Sequence, residues 1–310
     1  MIRAAFLGTP AAAVPSLAAL MEVAAVEFVV TQPDRPKGRG RVVEAAPPVK
    51  VAATEWGLRI EQPESNRDLD ILFTGNTLDV AVVVGYGRIL KPMVLASVKR
   101  GFVNVHFSLL PRWRGAAPVE RAVLAGDDYS GVSLMVLDKG LDTGPVFAAV
   151  ETEIAEYETA GELTGRLAAL GADVLRNHLE DYVHEKLLPA RQMQTGATFA
   201  PRLTTAEARL DWRLGPSAFG RAVRAFNPRP GGWTEGEGTR LKIFEVGPAS
   251  PVVAPGEIRI VNGRPILGLG GGSVELVEVQ PAGKPRQSGK DWANGRRGAG
   301  LRLERAEQSG

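Results

Sequence analysis

From the first residue to about position 180, short apolar runs alternate with segments of helical length. The runs at 2–7, 26–31, 58–61, 79–85 and 102–107 read as strands, and 11–22 and 47–57 read as helices. The run at 79–85 is mostly valine, and a strand without polar alternation suits a central place covered on both faces. Further strands are predicted at 131–138 and 146–154. Next, Thr159-Ala160-Gly161-Glu162 has the spacing of a capping box, in which each end residue satisfies the other's backbone N–H. Leu163, Leu167, Leu170 and Val174 then share one helical face, continued by His178. That helix should end near Lys186, with Pro189 as its stop. Strand–helix alternation of this kind predicts an α/β fold, a Rossmann-like, doubly wound parallel sheet.

A different pattern takes over further on. Residues 190–205 are polar, hold Gly196 and Pro201, and read as a linker. Beyond them, strand-like runs at 210–212, 240–246, 257–261, 265–269 and 272–279 are separated by Gly and Pro. Five such runs predict a small β-barrel, with one helix at 217–225 closed by Asn227-Pro228. The organisation read from the sequence is therefore an α/β domain at 1–189, a linker at 190–205 and a barrel domain at 206–310.

The length of 310 residues agrees with two domains. There is no cysteine, which excludes disulfides, Cys-ligated zinc, iron–sulfur clusters and thiol nucleophiles. Three histidines, His106, His178 and His184, argue against a multi-histidine metal site. His178, on an apolar stripe, reads as a packing residue, and His184 as solvated. The apolar runs are strand-sized and the first is too short for a signal segment, so no membrane span and a cytoplasmic location are expected. A net charge of +2 conceals an asymmetry. Residues 206–310 carry 16 Lys+Arg against 11 Asp+Glu, and residues 1–205 carry 21 against 24. Such a bias arises by chance or marks contact with a polyanion.

Neither G-x-G-x-x-G nor a Walker A motif follows the first strand, so the phosphate-cradling glycines of dinucleotide and NTP sites are missing there. The strand at 102–107 carries Asn104 and His106 two positions apart, hence on one face. Asp142 sits in the Gly-rich stretch Asp138-Lys139-Gly140-Leu141-Asp142-Thr143-Gly144 after another strand. These residue types suit acyl-type transfer to an amine. Histidine moves a proton near neutral pH, asparagine donates to an oxyanion, and a carboxylate orients the imidazole. By spacing alone the same three can equally cap turns and helices. The loop at 33–41, with five charges, two glycines and two prolines, is predicted to hold no regular element. It reads as a solvated surface loop or as an anion contact.

The run Asn104-Val105-His106-Phe107-Ser108-Leu109-Leu110-Pro111, then Arg114-Gly115 and Leu141-Asp142-Thr143-Gly144, resembles the active-site signature of formyltransferases that use 10-formyltetrahydrofolate. Four more segments are similar to the members that act on tRNA: Phe6-Leu7-Gly8-Thr9-Pro10, Thr31-Gln32-Pro33-Asp34-Arg35-Pro36-Lys37-Gly38-Arg39-Gly40, Val84-Gly85-Tyr86-Gly87 and Arg224-Ala225-Phe226-Asn227-Pro228-Arg229-Pro230-Gly231. The resemblance spans nearly the whole chain. Phe107, Arg229 and Gly232 depart from it, and none of these is a reacting group. It implies a formyl transfer from 10-formyltetrahydrofolate to the α-amino group of methionine on initiator tRNA. Asn104, His106 and Asp142 would be catalytic, Ser108, Leu109, Leu110 and Pro111 would line the folate site, and Tyr86, Gly87, Ile89 and Leu90 would form part of the pterin pocket. Arg35, Lys37, Arg39 and Arg41 would meet the acceptor stem, Arg39 foremost, because a guanidinium grips phosphate bidentately. The barrel and its basic tail resemble the OB-like domain that would hold the tRNA. No metal is implied, and a monomer is expected.

Overall fold

A computed structural model describes residues 1–37, 43–297 and 299–304. The chain forms two compact units. One comprises Met1–Pro118, Tyr129–Glu153 and Thr164–Ala200; the other comprises Val119–Asp128, Ile154–Leu163 and Pro201–Gly310.

The first unit is built on a seven-stranded sheet. Its spatial order is Val146–Glu153, Tyr129–Val136, Phe102–His106, Val80–Val84, Arg3–Gly8, Ala25–Val30 and Ile60–Glu61. The last five strands run parallel, as the Rossmann-like expectation requires. Tyr129–Val136 is antiparallel to both of its neighbours, so one edge of the sheet is an antiparallel pair. Every residue of Val80–Val84 is buried, as expected for a valine run between two covered faces. The first strand lies centrally, with Ala25–Val30 on one side and Val80–Val84 on the other. The connections therefore diverge there, and a crevice opens beyond the carboxyl ends of these strands. On one face Phe28, Phe73 and Phe102 meet ring to ring, with centroids 5.5 and 5.1 Å apart. Burial of each such ring stabilises the fold by about 1.5–3 kcal/mol.

Local chemistry accounts for the helix ends. In the Ala160–Val183 helix, Glu162 N donates to Thr159 Oγ1 (3.2 Å) and Thr159 N donates to Glu162 Oε2 (2.9 Å), the predicted capping box. The Thr159 N–H foremost, and then the Thr159 hydroxyl (2.8 Å), hold the Glu162 carboxyl below its ordinary value. Ser65 and Asp68 repeat the device at the start of a helix at Asn66–Thr74, which the sequence reading left unassigned. His178 Nδ1 lies 2.9 Å from Val174 O on its own helix, in keeping with a packing role.

Two expectations need correction. The stretch at 33–41 is not wholly irregular, because Arg35–Lys37 pairs antiparallel with Val43–Ala45, Pro36 lying opposite Glu44. A two-strand ribbon leaves an open edge on each strand, where a proline's missing N–H is tolerated. The run at 210–212 is not a strand. The bridge in this region, Arg209 to Trp233, precedes the run, which then turns. The Asp211 carboxylate takes the Arg213 backbone N–H at 3.0 Å, and this local bond competes with sheet pairing.

The second unit is a nearly closed antiparallel barrel. Its strands lie in the order Trp233–Gly236, Thr239–Pro248, Gly272–Pro281, Arg264–Leu269, Glu257–Val261 and Leu301–Arg302. A bridge between Gly236 and Leu303 brings the first strand to the segment after the last. Ile243, Ile258, Leu267, Leu276 and Val279 fill the interior, and the Pro216–Ala225 helix adds Phe219 and Val223. Among the described residues no helix is long and apolar enough to cross a membrane.

Candidate active site

Three parallel strands end together in the first unit. The Tyr86 carbonyl, just past Val80–Val84, accepts from Thr9 Oγ1 (3.0 Å) and from Gln32 Nε2 (3.2 Å). Thr9 and Gln32 follow the first two strands, so one oxygen ties all three ends. Gly85 and Gly87 take positive φ (55° and 85°) around it, a conformation that costs glycine little. Within 86–90 the alternation divides the roles. Tyr86 and Leu90 are buried in the apolar core, and burial pushes the Tyr86 phenol above its ordinary value. Gly87 and Ile89 are exposed. Tyr86 and Leu90 thus anchor the segment in the core, while Gly87 and Ile89 lie at its surface.

The next strand delivers Asn104 and His106, and the 137–145 segment returns Asp142 to both. Asn104 Nδ2 donates to Asp142 Oδ1 at 3.4 Å. His106 Nδ1 stands 3.8 Å from Asp142 Oδ2, and the Gly115 N–H donates to that same oxygen at 2.8 Å. His106 Nε2 lies 2.9 Å from the Trp113 carbonyl. A carbonyl only accepts, so Nε2 carries hydrogen whenever this bond exists. In the neutral ring, Nδ1 is then a bare lone pair turned to the carboxylate. A proton placed on Nδ1 makes an imidazolium opposed to Asp142. His106 is buried, and in such surroundings charge interactions are stronger than in water. The group can therefore accept a proton at Nδ1 and hold it against the carboxylate, while Asn104 keeps a second N–H for an oxyanion.

Two glycines make this approach possible. A Cβ on Gly144 would stand 1.8 Å from the Val136 carbonyl oxygen. Gly115 has φ of 126°, and a Cβ there would meet Ala200 O at 2.7 Å.

Ser108 is buried and its hydroxyl donates to Arg112 O at 2.6 Å. It braces the turn, and the partly exposed Leu109, Leu110 and Pro111 follow it. Ser133 Oγ donates to Ser108 O (2.7 Å) and accepts from Leu110 N (3.1 Å), clamping the same turn. Arg35 and Lys37 lie in the short ribbon; Arg39 and Arg41 lie outside the described residues. At the ribbon's base, Lys50 Nζ and Gln62 Nε2 donate to Asp34 (2.6 and 2.8 Å), and Lys50 foremost holds that carboxyl below its ordinary value.

Sequence reasoning missed Gln192, and it placed Arg114 in the motif without a role. Arg114 is 2% exposed and donates twice to Gln192 Oε1 (3.0 and 2.8 Å). Gln192 Nε2 donates to the carbonyls of Asp142 (2.9 Å) and Gly144 (2.7 Å). Gln192 falls in the stretch read as a linker, which has no periodicity to single it out. Phe199–Ala200, from the same stretch, pairs in parallel with Arg114–Gly115.

Residues 3–179 match the formyl transferase family, and residues 202–297 match the C-terminal domain of formyl transferases. The chain belongs to the formyl transferase family. The methionyl-tRNA formyltransferase of Frankia casuarinae is 41% identical over 316 residues, covering 95% of this chain and 94% of that protein. That of Methylococcus capsulatus is 42% identical over 307 residues, covering 97% and 99%. Among solved structures, HypX from Aquifex aeolicus, in complex with tetrahydrofolic acid, superposes with a TM-score of 0.68 at 15% identity. That match covers 94% of this formyl transferase and 47% of HypX, so the chain spans about half of HypX's length. An N-formyltransferase from Helicobacter canadensis, in complex with folinic acid and dTDP-3-aminofucose, gives a TM-score of 0.68 at 17% identity. It covers 89% of this chain and 99% of that one. At such identities the two structures establish a shared fold.

Proposed function

We propose that this formyl transferase moves the formyl group of 10-formyltetrahydrofolate to the α-amino group of methionine carried by initiator tRNA, giving formylmethionyl-tRNA for translation initiation. The observation that carries the reading is the Asp142 carboxylate set against both Asn104 and His106. The relatives at about 40% identity, named for the tRNA substrate and matched end to end, supply the substrate class.

In the proposed route the neutral amine attacks the formyl carbon. The oxyanion that forms takes the free N–H of Asn104 and, once His106 is protonated at Nδ1, that hydrogen as well. The proton comes from the amine, which loses it as the C–N bond forms. Asp142 stabilises the imidazolium and relays the proton to folate N10, whose bond to the formyl carbon breaks. One N–H is lost and one is made, so the transfer balances. Apart from the C–N bond that forms and the N10–C bond that breaks, the residues act only through hydrogen bonds and proton transfer, and the proposal includes no metal. Ser108, Leu109, Leu110 and Pro111, with Tyr86, Gly87, Ile89 and Leu90, would border the folate.

The second part of the reading concerns tRNA. We assign catalysis to 1–189, the connection to 190–205 and tRNA holding to 206–310, with Arg35, Lys37, Arg39 and Arg41 meeting the acceptor stem. The net positive charge of 206–310 supports this, since phosphate contacts give affinity without reading sequence. The enzyme would work as a monomer in the cytoplasm, where charged tRNA is found.

The test is direct. Purified protein, 10-formyltetrahydrofolate and methionyl initiator tRNA are incubated, with elongator methionyl-tRNA and a dTDP-amino sugar as controls. Formylation of the initiator species supports the reading; formylation of the sugar alone overturns it. Binding of tRNA should weaken as salt rises, and Arg39→Ala should lower the log–log salt slope by about one. A flat salt response would remove the phosphate assignment.

A further inference from the structure

We propose that Gln192 is a positioning residue for the transfer. It sets the backbone of Asp142, and through it the gap between that carboxylate and the His106 imidazole. The inference rests on the reading above of Asp142 and His106 as reacting groups.

A glutamine amide offers two N–H donors and an oxygen with two lone pairs. All four positions are used here. Nε2 donates to Asp142 O at 2.9 Å and Gly144 O at 2.7 Å, and Oε1 accepts from Arg114 Nε at 3.0 Å and Nη2 at 2.8 Å. Chemistry dictates the amide's orientation, because a guanidinium only donates and a carbonyl only accepts. Replacements fail in different ways. Glutamate keeps the bonds from Arg114 but turns an acceptor toward two carbonyls, asparagine is one methylene short, and leucine makes none of the four bonds.

Asp142 is the residue that needs such a clamp. It holds φ of 50°, in the left-handed region. That conformation is disfavoured for a residue with a Cβ and persists only where the surroundings over-determine it. Gln192 bonds the Asp142 carbonyl and the carbonyl two residues on, so the strained peptide is held from outside its own segment.

At its other end Gln192 grips Arg114. The neighbours of Arg114 are the two backbone contacts of the site. The Trp113 carbonyl holds His106 Nε2, and the Gly115 N–H holds Asp142 Oδ2. Gln192 therefore joins the segment that orients the imidazole to the loop that carries the carboxylate. The 3.8 Å separation of Nδ1 and Oδ2 is set from a place distant in sequence from both. A misplacement of about 1 Å at such a pair costs up to about 10²-fold in rate.

The experiment measures steady-state formyl transfer by the full-length protein, the Gln192→Leu and Gln192→Glu variants, and each substitution combined with Asp142→Asn. The expected result is a fall in kcat of about 10- to 100-fold for both single variants, with KM for folate and for tRNA within about twofold. In the Asp142→Asn background the same substitutions should change kcat by less than about threefold, because no carboxylate remains to be positioned. If Gln192→Leu fails to fold, the nearly isosteric Gln192→Glu carries the test. Losses that multiply fully in the double variants, or a raised KM with unchanged kcat, would overturn the inference. An inactive wild-type protein would overturn the catalytic reading and this inference with it, whereas an active wild type with an equally active Gln192→Leu would overturn the inference alone.

Discussion

Among the described residues, the α/β unit buries Ser16, Thr31, Gln32, His106, Ser108, Arg114, Ser130 and Ser133, whereas the barrel unit buries Thr234 and Ser273. Many of the first group stand where strands end or turn, bonded to one another or to backbone. The barrel's interior is aliphatic and aromatic, and its arginines lie outside, several laid over aromatic rings. Arg286 is 3.4 Å from the Phe244 centroid, Arg240 is 3.7 Å from that of Trp233, and Arg296 is 5.6 Å from that of Trp292. A guanidinium on a ring face keeps its charge; Arg286 and Arg296 also pair with Glu278 (3.3 Å) and Glu237 (3.2 Å), glutamates that a phosphate would have to displace. The difference follows from the tasks proposed for each unit. Stabilising charge that develops during a reaction needs polar groups held in place away from water. Holding a polyanion needs positive charge that water and phosphate can reach.

The strongest test of this contrast is Asp142→Asn, which keeps the side chain's shape and an acceptor for the Gly115 N–H. Turnover should fall about 10²–10⁴-fold with the fold retained by circular dichroism. A folded variant with near-wild-type turnover would break the comparison at its catalytic end. Next in size is Ile258→Ala, at a position with no exposure in the barrel. Denaturant unfolding should register a loss of about 2–5 kcal/mol, while kcat at saturating substrate, well below the transition, stays within a few-fold. A parallel collapse of kcat would show that the two regions are not separable in this way.

Gly144→Ala should affect both stability and rate. The new Cβ would lie 1.8 Å from a backbone oxygen, and overpacking of this kind costs about 1–3 kcal/mol. Because Asp142 is two residues away, turnover should drop along with the melting temperature. An unchanged rate would mean that the loop's position matters less than argued.

The smallest expected effect concerns Glu120, in the barrel unit. Burial holds its carboxyl above the ordinary value. With the folded value raised above the unfolded one, its contribution to stability is fully present below about pH 4.3, the unfolded value. It is lost as pH rises through the folded value. Glu120→Gln, which cannot ionise, should therefore be slightly more stable than wild type at pH 8, with the advantage fading toward pH 4. Thermal melts at the two pH values check this, and the opposite trend would contradict the burial argument.

Much of the architecture was legible before any coordinates. The valine run ending at Val84, the Thr159–Glu162 capping box and the short barrel strands each declare themselves within a few residues. The helix at Asn66–Thr74 escaped notice because its box uses Asp68 where Glu or Gln is usual. The antiparallel direction of Tyr129–Val136 escaped because an apolar run carries no sign of which way it pairs. The ribbon at Arg35–Lys37 was hidden by Pro36 and by the glycines that follow it in the sequence.

The site divides along the same line. Asn104, His106 and Asp142 could be named from residue types and a familiar motif, but their meeting could not be derived from spacing. Their immediate partners are the Trp113 carbonyl and the Gly115 N–H, and every residue type offers such backbone groups. Gln192 lies in an aperiodic stretch and acquires its role only from what surrounds it. Hydrophobic period, caps and chain composition act over one or two turns, so the amino-acid order by itself determined the elements, the fold class and the candidate chemistry. Which carbonyl faces which imidazole depends on contacts between segments dozens of residues apart, and only the packed sheet and its loops decided that.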